Sequence, residues 1–241
     1  MTRGKAQSAE RPKRFYAIAE PGPVGEGFGV LLDGRPVRTP AGGRLELPTP
    51  ALAQLLAAEW AAQGERIIAA DMPATRLAFT ALDRAADARA EVAEEIARFA
   101  GADVLCYFAD GPDTLVEREV ALWGPVLDWA DQALGLRFVR VRGLSHQAQP
   151  GATLERVRGL ALDLGDFQLT GLVNAAGLYG SAVLAFAVQR GQVSGEAAFD
   201  LSRLDEAFQE ERWGVDEDAA ARTAGLRREA VTLEKWFQAL G

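Results

Sequence analysis

Carboxylates are the most numerous groups in this sequence that could take part in chemistry. The 241 residues include 34 Asp and Glu, and two neighbouring carboxylates can act as general acid and general base. Close pairs occur at Glu94 and Glu95, Glu117 and Glu119, and Asp205 and Glu206. Successive residues on a helix point about 100° apart, so spacing alone makes none of these pairs converge. We favour solvated helix faces, and a carboxylate-based small-molecule enzyme stays open as an alternative.

Other catalytic and metal-binding groups are scarce. The chain has one cysteine, Cys106, and one histidine, His146. A single cysteine excludes an intramolecular disulfide and a cysteine-rich zinc site. A single histidine makes a His-based metal site or a nucleophile–His pair a poor interpretation. The glycine-rich residues 22–29 lack the Gly-Lys-Ser/Thr ending of a phosphate loop and precede a strand rather than a helix. The sequence therefore predicts no catalytic residue, no metal site, no cofactor and no nucleotide.

The charge of the chain argues against nucleic acid as its main partner. The formal net charge is −8 and the isoelectric point is near 4.9, whereas binding to phosphates needs concentrated Lys and Arg. Basic residues dominate only the first 14 positions, which also lack the apolar stretch of a secretory signal. We predict a disordered basic tail over residues 1–13.

The most informative stretch is acidic and covers residues 194–218, with nine acids against two arginines. Ser194 and Gly214 are suitable start and stop residues for a helix over 195–213. The helical period predicts a core stripe of Ala197, Leu201, Leu204 and Phe208. It predicts a candidate partner-binding face made of Glu206, Gln209, Glu210 and Trp213, with Asp205 on the flank of the stripe. Alternatively, the helix ends before Trp213 and the indole enters the core.

The elements that must position these residues change type along the chain. Strands are predicted at 15–18, 28–32, 36–38 and 45–47, with a hairpin turn at Asp33 and Gly34. From Thr49 the period becomes helical, and the first helix places Leu52, Leu56 and Trp60 on one stripe. Further helices are predicted near 73–86, 87–100, 112–135, 151–164, 167–190, 195–213 and 216–240, with one strand at 137–141. The fold class is α+β, with a β-rich N-terminal domain over 14–74 and a larger α-helical C-terminal domain over 75–241.

Residues 167–189 form an uncharged run of 23 residues, which is long enough to cross a membrane. Polar side chains and three glycines interrupt the run, and no cluster of basic residues on one side would orient it. We predict one buried helix or two short ones. A membrane-associated assembly factor remains an alternative.

Five segments, taken together, resemble one protein family. They are Glu59-Trp60-Ala-Ala-Gln63, Met72-Pro73-Ala-Thr75-Arg76-Leu77, Asp103-Val-Leu-Cys-Tyr107, Trp123-Gly-Pro125-Val-Leu-Asp-Trp129 and Leu204-Asp205-Glu206-Ala-Phe-Gln209-Glu-Glu-Arg-Trp213-Gly214. In this order and spacing they look like the assembly chaperones of F1-ATPase that hold the free alpha subunit, which include a mitochondrial chaperone. The chain departs from the family pattern at Gly124, where an acid is usual, and at Phe108, where arginine is frequent.

The resemblance implies a function without catalysis. The chaperone would bind the alpha subunit and keep it from aggregating before it meets beta, with no nucleotide, nucleic acid or stable membrane insertion. Trp60, Gln63, Trp123, Pro125 and Gly214 would be structural motif positions. The expected location is the bacterial cytoplasm, for which the corresponding eukaryotic compartment is the mitochondrial matrix.

Overall fold

The structure is a computed structural model that describes residues 12–143, 145, 147–214 and 217–241. His146 and residues 1–11 of the predicted tail lie outside the described residues. Pro12 and Lys13, which the tail prediction includes, pair with the chain at residues 66–67: the Pro12 carbonyl accepts the N–H of Ile67 at 2.9 Å, and Lys13 forms a β-bridge with Arg66. The chain is therefore in contact with the fold from the first described residues.

A three-stranded antiparallel sheet forms the N-terminal part. Its strands are β1 (Ala19–Val24), β2 (Gly27–Leu32) and β3 (Arg35–Pro36), paired in that order. Asp33 and Gly34 turn the β2–β3 hairpin with positive φ angles of 48° and 78°, as the sequence predicts. A β-bridge between Phe28 and Leu47 continues the pairing along the edge of β2 that β3 occupies.

The predicted first strand at 15–18 is wrong, because β1 begins at Ala19 and runs through two prolines. Within β2, the backbone groups of Phe28 and Val30 form hydrogen bonds on the side away from β1. The backbone groups of Gly29 and Leu31 therefore point towards β1. Pro21 and Pro23 then stand at the outward positions of β1, where no N–H is needed. The prolines leave this outer edge with few donors, which protects it from pairing with another chain.

The remaining chain is mostly helical and follows the predicted positions. The helices are α1 (Pro50–Ala61), α2 (Pro73–Thr80), α3 (Ala86–Gly101), α4 (Asp113–Leu134), α5 (Gly151–Leu162), α6 (Asp166–Tyr179), α7 (Ala182–Gln189), α8 (Gly195–Ser202), α9 (Leu204–Trp213) and α10 (Glu217–Leu240). Between α2 and α3 the predicted helix widens into a π-helical turn over 81–85.

The predicted strand at 137–141 is mostly wrong, because only its last residue belongs to a strand. That strand, β5 (Val141–Arg142), pairs in parallel with β4 (Tyr107–Phe108). Upstream of β5, the Gln149 side chain takes the place of a neighbouring strand. It accepts the N–H of Val139 at 2.8 Å and donates to the Val139 carbonyl at 3.0 Å.

The uncharged run 167–189 folds into two helices, and this resolves the choice between one helix and two. Gly180 ends α6 in the left-handed region with φ +61°, and the Ser181 side chain caps α7 by accepting the N–H of Leu184 at 3.0 Å. Every residue of α7 from Ala182 to Val188 is buried, so the run is apolar because protein surrounds it. In the described part of the chain, no helix combines the length and apolarity needed to cross a bilayer.

The N-terminal and C-terminal parts share one hydrophobic core. Helix α1 packs on β1, β2 and α10, and the Thr49 hydroxyl donates to the Ala239 carbonyl at 2.6 Å. Close approach also joins α8 to α10, since a Cβ at Gly195 would lie 2.1 Å from the Ala230 carbonyl oxygen. Only glycine fits at this crossing.

Trp60 is buried, as its helical stripe predicts, and we expect a charged substitution to destabilise the protein. Its side chain is 8% exposed and stacks edge to face on Tyr16 with ring centroids 5.8 Å apart. The Tyr16 hydroxyl donates to the Trp60 carbonyl at 2.7 Å. Trp60→Arg would place an unpaired charge among these rings and lower the free energy of unfolding by about 3 kcal/mol or more.

Urea or thermal unfolding of Trp60→Arg measures this cost, with Trp60→Phe as the matched aromatic control. We expect Trp60→Phe to lose clearly less stability than Trp60→Arg. A Trp60→Arg variant that melts with the wild-type protein would contradict the burial of the indole.

Candidate functional site

The acidic segment is two helices, so the predicted single helix over 195–213 is wrong. The chain leaves helical geometry at Arg203, with φ −116° and ψ 24°, between α8 and α9. This break shifts the phase of the buried stripe. Leu204 and Phe208 are buried as predicted, but Ala197 is exposed and Ala198 packs inward in its place.

The outward face of α9 carries the predicted partner-binding residues. Glu206 and Gln209 are exposed, Glu210 is half-buried, and Trp213 is 78% exposed. The alternative in which the indole enters the core is wrong, because α9 reaches Trp213 and ends at Gly214. Gly214 has a φ of +86°, and its N–H donates to the Glu210 carbonyl at 2.9 Å. This outward face of α9 (Glu206, Gln209, Glu210 and Trp213) is the candidate site.

Arg118 of helix α4 contacts α9 through two side chains, Glu211 and Phe208. The Arg118 guanidinium binds the Glu211 carboxylate through two hydrogen bonds of 2.8 and 3.2 Å. It also lies over the Phe208 ring, 5.3 Å from the centroid. One α4 side chain thus fixes two successive turns of α9.

Trp123 continues this support at the end of α8. Its indole N–H donates to the Leu201 carbonyl at 2.9 Å, and its ring stacks edge to face on Phe108. Because Leu201 lies just before the break at Arg203, this bond sets where α9 begins. Pro125 lies on the exposed side of the same helix, which continues through it.

Ion pairs lower the free negative charge of α9. Arg203 binds Glu210 at 3.1 Å, while Arg118 lowers the pKa of Glu211 by hydrogen bonding to its carboxylate. Glu206 keeps an exposed carboxylate. Asp205 is half-buried on the flank, with its Oδ1 atom shielded from solvent. The candidate site is therefore a half-neutralised acidic surface with an exposed indole at one end.

The first two motif segments meet through hydrogen bonds that the spacing does not reveal. The Glu59 carboxylate accepts the N–H groups of Ala74 and Thr75 at 2.7 and 2.8 Å and also the Thr75 hydroxyl at 2.7 Å. It therefore caps the start of α2 from another helix. Gln63 is buried and accepts the N–H of Ile68 at 2.7 Å. The sequence singled out Gln63 but missed the role of Glu59.

Asp103 has the same kind of role at α7, and the sequence missed it as well. The carboxylate has no exposed surface and accepts the N–H groups of Val183 at 3.0 Å and Leu105 at 3.2 Å. Burial raises the pKa of Asp103 to about 6, although its hydrogen bonds lower it. Asp103 is thus a structural cap inside the core.

The chemistry of the remaining candidate groups fits packing and binding better than catalysis. Cys106 is buried, and burial raises the pKa of its thiol, which keeps it protonated and unreactive. Glu94 forms an ion pair with Arg158 at the surface. No group of three or more potential metal ligands occurs among the residues that the structure describes.

Comparison with known proteins identifies the family. Residues 13–131 match the family model described as ATP12 chaperone protein. A curated relative, the mitochondrial protein atp12 of Schizosaccharomyces pombe, is 26% identical over 205 residues, which are 79% of this chain and 69% of that protein.

Solved structures agree with this match over almost the whole chain. Crystal structures of Atp12 from Paracoccus denitrificans and of a mutant form of it each have a TM-score of 0.87 and 37% identity, covering 95% of this chain and 98% of theirs. The Atu1473 protein of Agrobacterium tumefaciens has a TM-score of 0.88 and 40% identity, covering 95% of this chain and 87% of its own. The chain therefore belongs to the ATP12 chaperone family, the ATP synthase assembly chaperones that its sequence resembles.

Proposed function

We propose that this chaperone binds the free alpha subunit of F1-ATPase through the outward face of α9 and keeps it soluble until beta arrives. The observation that carries this proposal is Trp213, an indole 78% exposed at the end of a helix that α4 braces. Tryptophan is among the commonest hot-spot residues of protein interfaces. An indole held in this position is unlike a residue left exposed in a mobile loop.

The charge around Trp213 suits a client with exposed arginines. Glu206 is exposed on the same face, and Glu210 can exchange its internal arginine partner for one of a client. Complementary charge speeds the encounter and rejects acidic partners, while the indole adds affinity as a hot-spot residue. This division of roles supports a basic client surface as the target.

The mechanism needs no covalent chemistry. An unassembled subunit exposes apolar interfaces that would otherwise associate with each other. Reversible binding lowers its free concentration by mass action, and an interface of about 1,600 Å² in total allows the beta subunit to displace the chaperone. We place this activity where the alpha subunit is assembled with beta, which is the cytoplasm in a bacterium and the mitochondrial matrix in a eukaryote.

The first prediction concerns the choice of client. With purified subunits, the immobilised chaperone is expected to retain alpha in preference to beta. In solution it should reduce the light scattering of alpha as alpha aggregates. Retention of beta alone would contradict the proposal, as would reproducible hydrolase or transferase activity of the purified chain.

The second prediction concerns the outward face of α9. Trp213→Ala is expected to weaken alpha binding about 30-fold, which corresponds to about 2 kcal/mol. Leu162→Ala is the matched control, because it truncates another exposed apolar side chain, 43% exposed at the end of α5. Calorimetric titration with purified alpha measures the affinity, and circular dichroism confirms folding.

The charge of the same face provides the third prediction. Glu206→Lys is expected to slow association with alpha and to flatten its dependence on salt. Glu20→Lys makes the same change of charge on exposed β1 and should leave association near the wild-type rate. If Trp213→Ala and Glu206→Lys both fold and keep alpha soluble at wild-type efficiency, α9 is not the contact surface.

A further inference from the structure

Where α4 and α9 pack, the carboxyl groups of Glu119 and Asp205 are within hydrogen-bonding reach of each other. Each has an oxygen without a hydrogen-bond donor among the described residues. Glu119 has no exposed surface, and its Oε2 accepts the N–H of Ala109 at 2.8 Å. Its Oε1 and the Oδ1 of Asp205 are both shielded from solvent, and the described part of the chain offers neither a partner. Buried polar atoms are almost always paired, so two such atoms on side chains in mutual contact need a common explanation.

A single proton explains both atoms. A carboxyl group donates where a carboxylate only accepts, so one proton between the two side chains gives each oxygen a partner. Two full negative charges in contact inside the protein would repel strongly, and acid pairs of this kind hold one proton between them. We propose that Glu119 and Asp205 share one proton and that this bond holds the first turn of α9 against α4.

Glu119 is then a positioning residue for the outward face of α9, and this role rests on the function proposed above. The contacts between the helices follow an antiparallel register, in which Arg118 meets Glu211, Glu119 meets Asp205, and Trp123 meets Leu201. Of these contacts, only the one made by Glu119 depends on a proton. The shared proton therefore provides a means by which pH changes the support of the client-binding face.

The charged groups on the described elements around this pair provide it with no cation. On α4, Arg118 is bound to Glu211; on α9, Arg203 is bound to Glu210 and Arg212 lies over the Phe208 ring; on α8, Asp200 is bound to Arg227. On β5, Arg142 lies beside Val116 and Val120, along another face of α4. The other charged groups on the three helices and on the loop after β4 are acids and supply no cation: Asp110, Asp113, Glu117, Asp128, Asp131, Glu196 and Glu206. Of these, Asp128, Asp131 and Glu196 are paired with Arg140, Arg137 and Arg227.

The electrostatics of Glu119 agree with this arrangement. Burial raises the pKa of Glu119 from its ordinary 4.5 to about 7, the Ala109 N–H lowers it, and both the hydrogen bond and the charge of Asp205 raise it. The folded protein thus binds one proton more than the unfolded chain between about pH 4.5 and pH 7. The stabilisation is complete at the acidic end of this window and is lost as the pH rises through about 7.

The experiment compares the pH dependence of folding in the wild-type chain and in Asp205→Asn. In the wild type, the shared proton contributes a fall in the folding equilibrium constant of up to about tenfold per pH unit between about pH 5 and pH 7. The amide of Asp205→Asn can donate permanently to Glu119 Oε1 and removes the neighbouring charge. Only burial then still raises the pKa of Glu119, so the slope should become shallower and the variant should be more stable than the wild type above about pH 8. Urea unfolding across this range measures both chains.

Glu119→Gln and Glu117→Gln complete the design. The glutamine of Glu119→Gln can still accept from Ala109 and donate to Asp205, and it does not titrate, so this variant should lose the contribution of Glu119 to the slope altogether. Glu117→Gln removes an exposed carboxylate of the same helix and should keep the wild-type slope. In the wild type, ¹³C NMR of the glutamate carboxyl carbons should show one glutamate that titrates near pH 7 and is absent in Glu119→Gln. Equal pH slopes for the wild type and Asp205→Asn would overturn the shared proton.

Binding to purified alpha separates this inference from the proposed function. With the wild type, affinity for alpha is expected to fall as the pH rises above about 7, and with Glu119→Gln it should vary less. If the stability slopes differ as stated but alpha does not bind, the shared proton stands and the proposed client is wrong. If alpha binds with the same pH dependence to both chains, the positioning role of Glu119 is wrong and the chaperone function stands.

Discussion

The carboxylate of Asp103 at the start of α7 is the interaction on which the arrangement of the helical part depends. Every residue of α7 from Ala182 to Val188 is buried, so its first N–H groups need partners from the protein. The Ser181 hydroxyl accepts the N–H of Leu184, and Asp103 accepts the N–H of Val183 from 80 residues upstream. The helix dipole favours the negative charge of Asp103 at that end. With α7 satisfied in this way, α3, α4, α6, α8 and α10 can pack around it.

Helix α4 connects the buried helix α7 with the surface helix α9. It packs on α7, and its residues Trp123 and Arg118 bind α8 and α9. The position of Trp213 is therefore linked to the interior through α4 and the turn at Arg203. A side chain ordered before binding loses less conformational freedom when a partner covers it, and this favours affinity from a small exposed surface.

The sequence predicts the periodic features of this fold well, because the hydrophobic period of a helix and the turn residues of a hairpin are visible within a few residues. The stripe ending at Trp60 and the turn at Asp33 are confirmed. Strand β1 is misplaced because proline normally breaks a strand, and whether a proline faces an open edge depends on the other strands. The helical phase before Arg203 is missed for a similar reason, since one non-helical residue rotates α8 relative to α9.

The roles of Glu59 and Asp103 are not predictable from spacing, because each caps a helix that lies elsewhere in the sequence. Both stand inside segments that carry the family resemblance, so the motifs mark positions whose physical reason becomes visible only in three dimensions. The exposure of Trp213 is also open at the level of sequence, because a helical period separates two faces without saying whether a neighbouring element covers the second.

The internal ion pairs of α9 limit how much free energy charged contacts with a client can add. Arg203 and Arg118 already engage Glu210 and Glu211, and exposed ion pairs are worth only about 0–1 kcal/mol each. A client arginine that replaces an internal one therefore gains little net free energy but must approach in the orientation that allows the exchange. In the binding that we propose, charge would select the client and its orientation, while burial of the indole of Trp213 would add affinity. Because the internal ion pairs can form again when the client leaves, release would need no input of chemical energy.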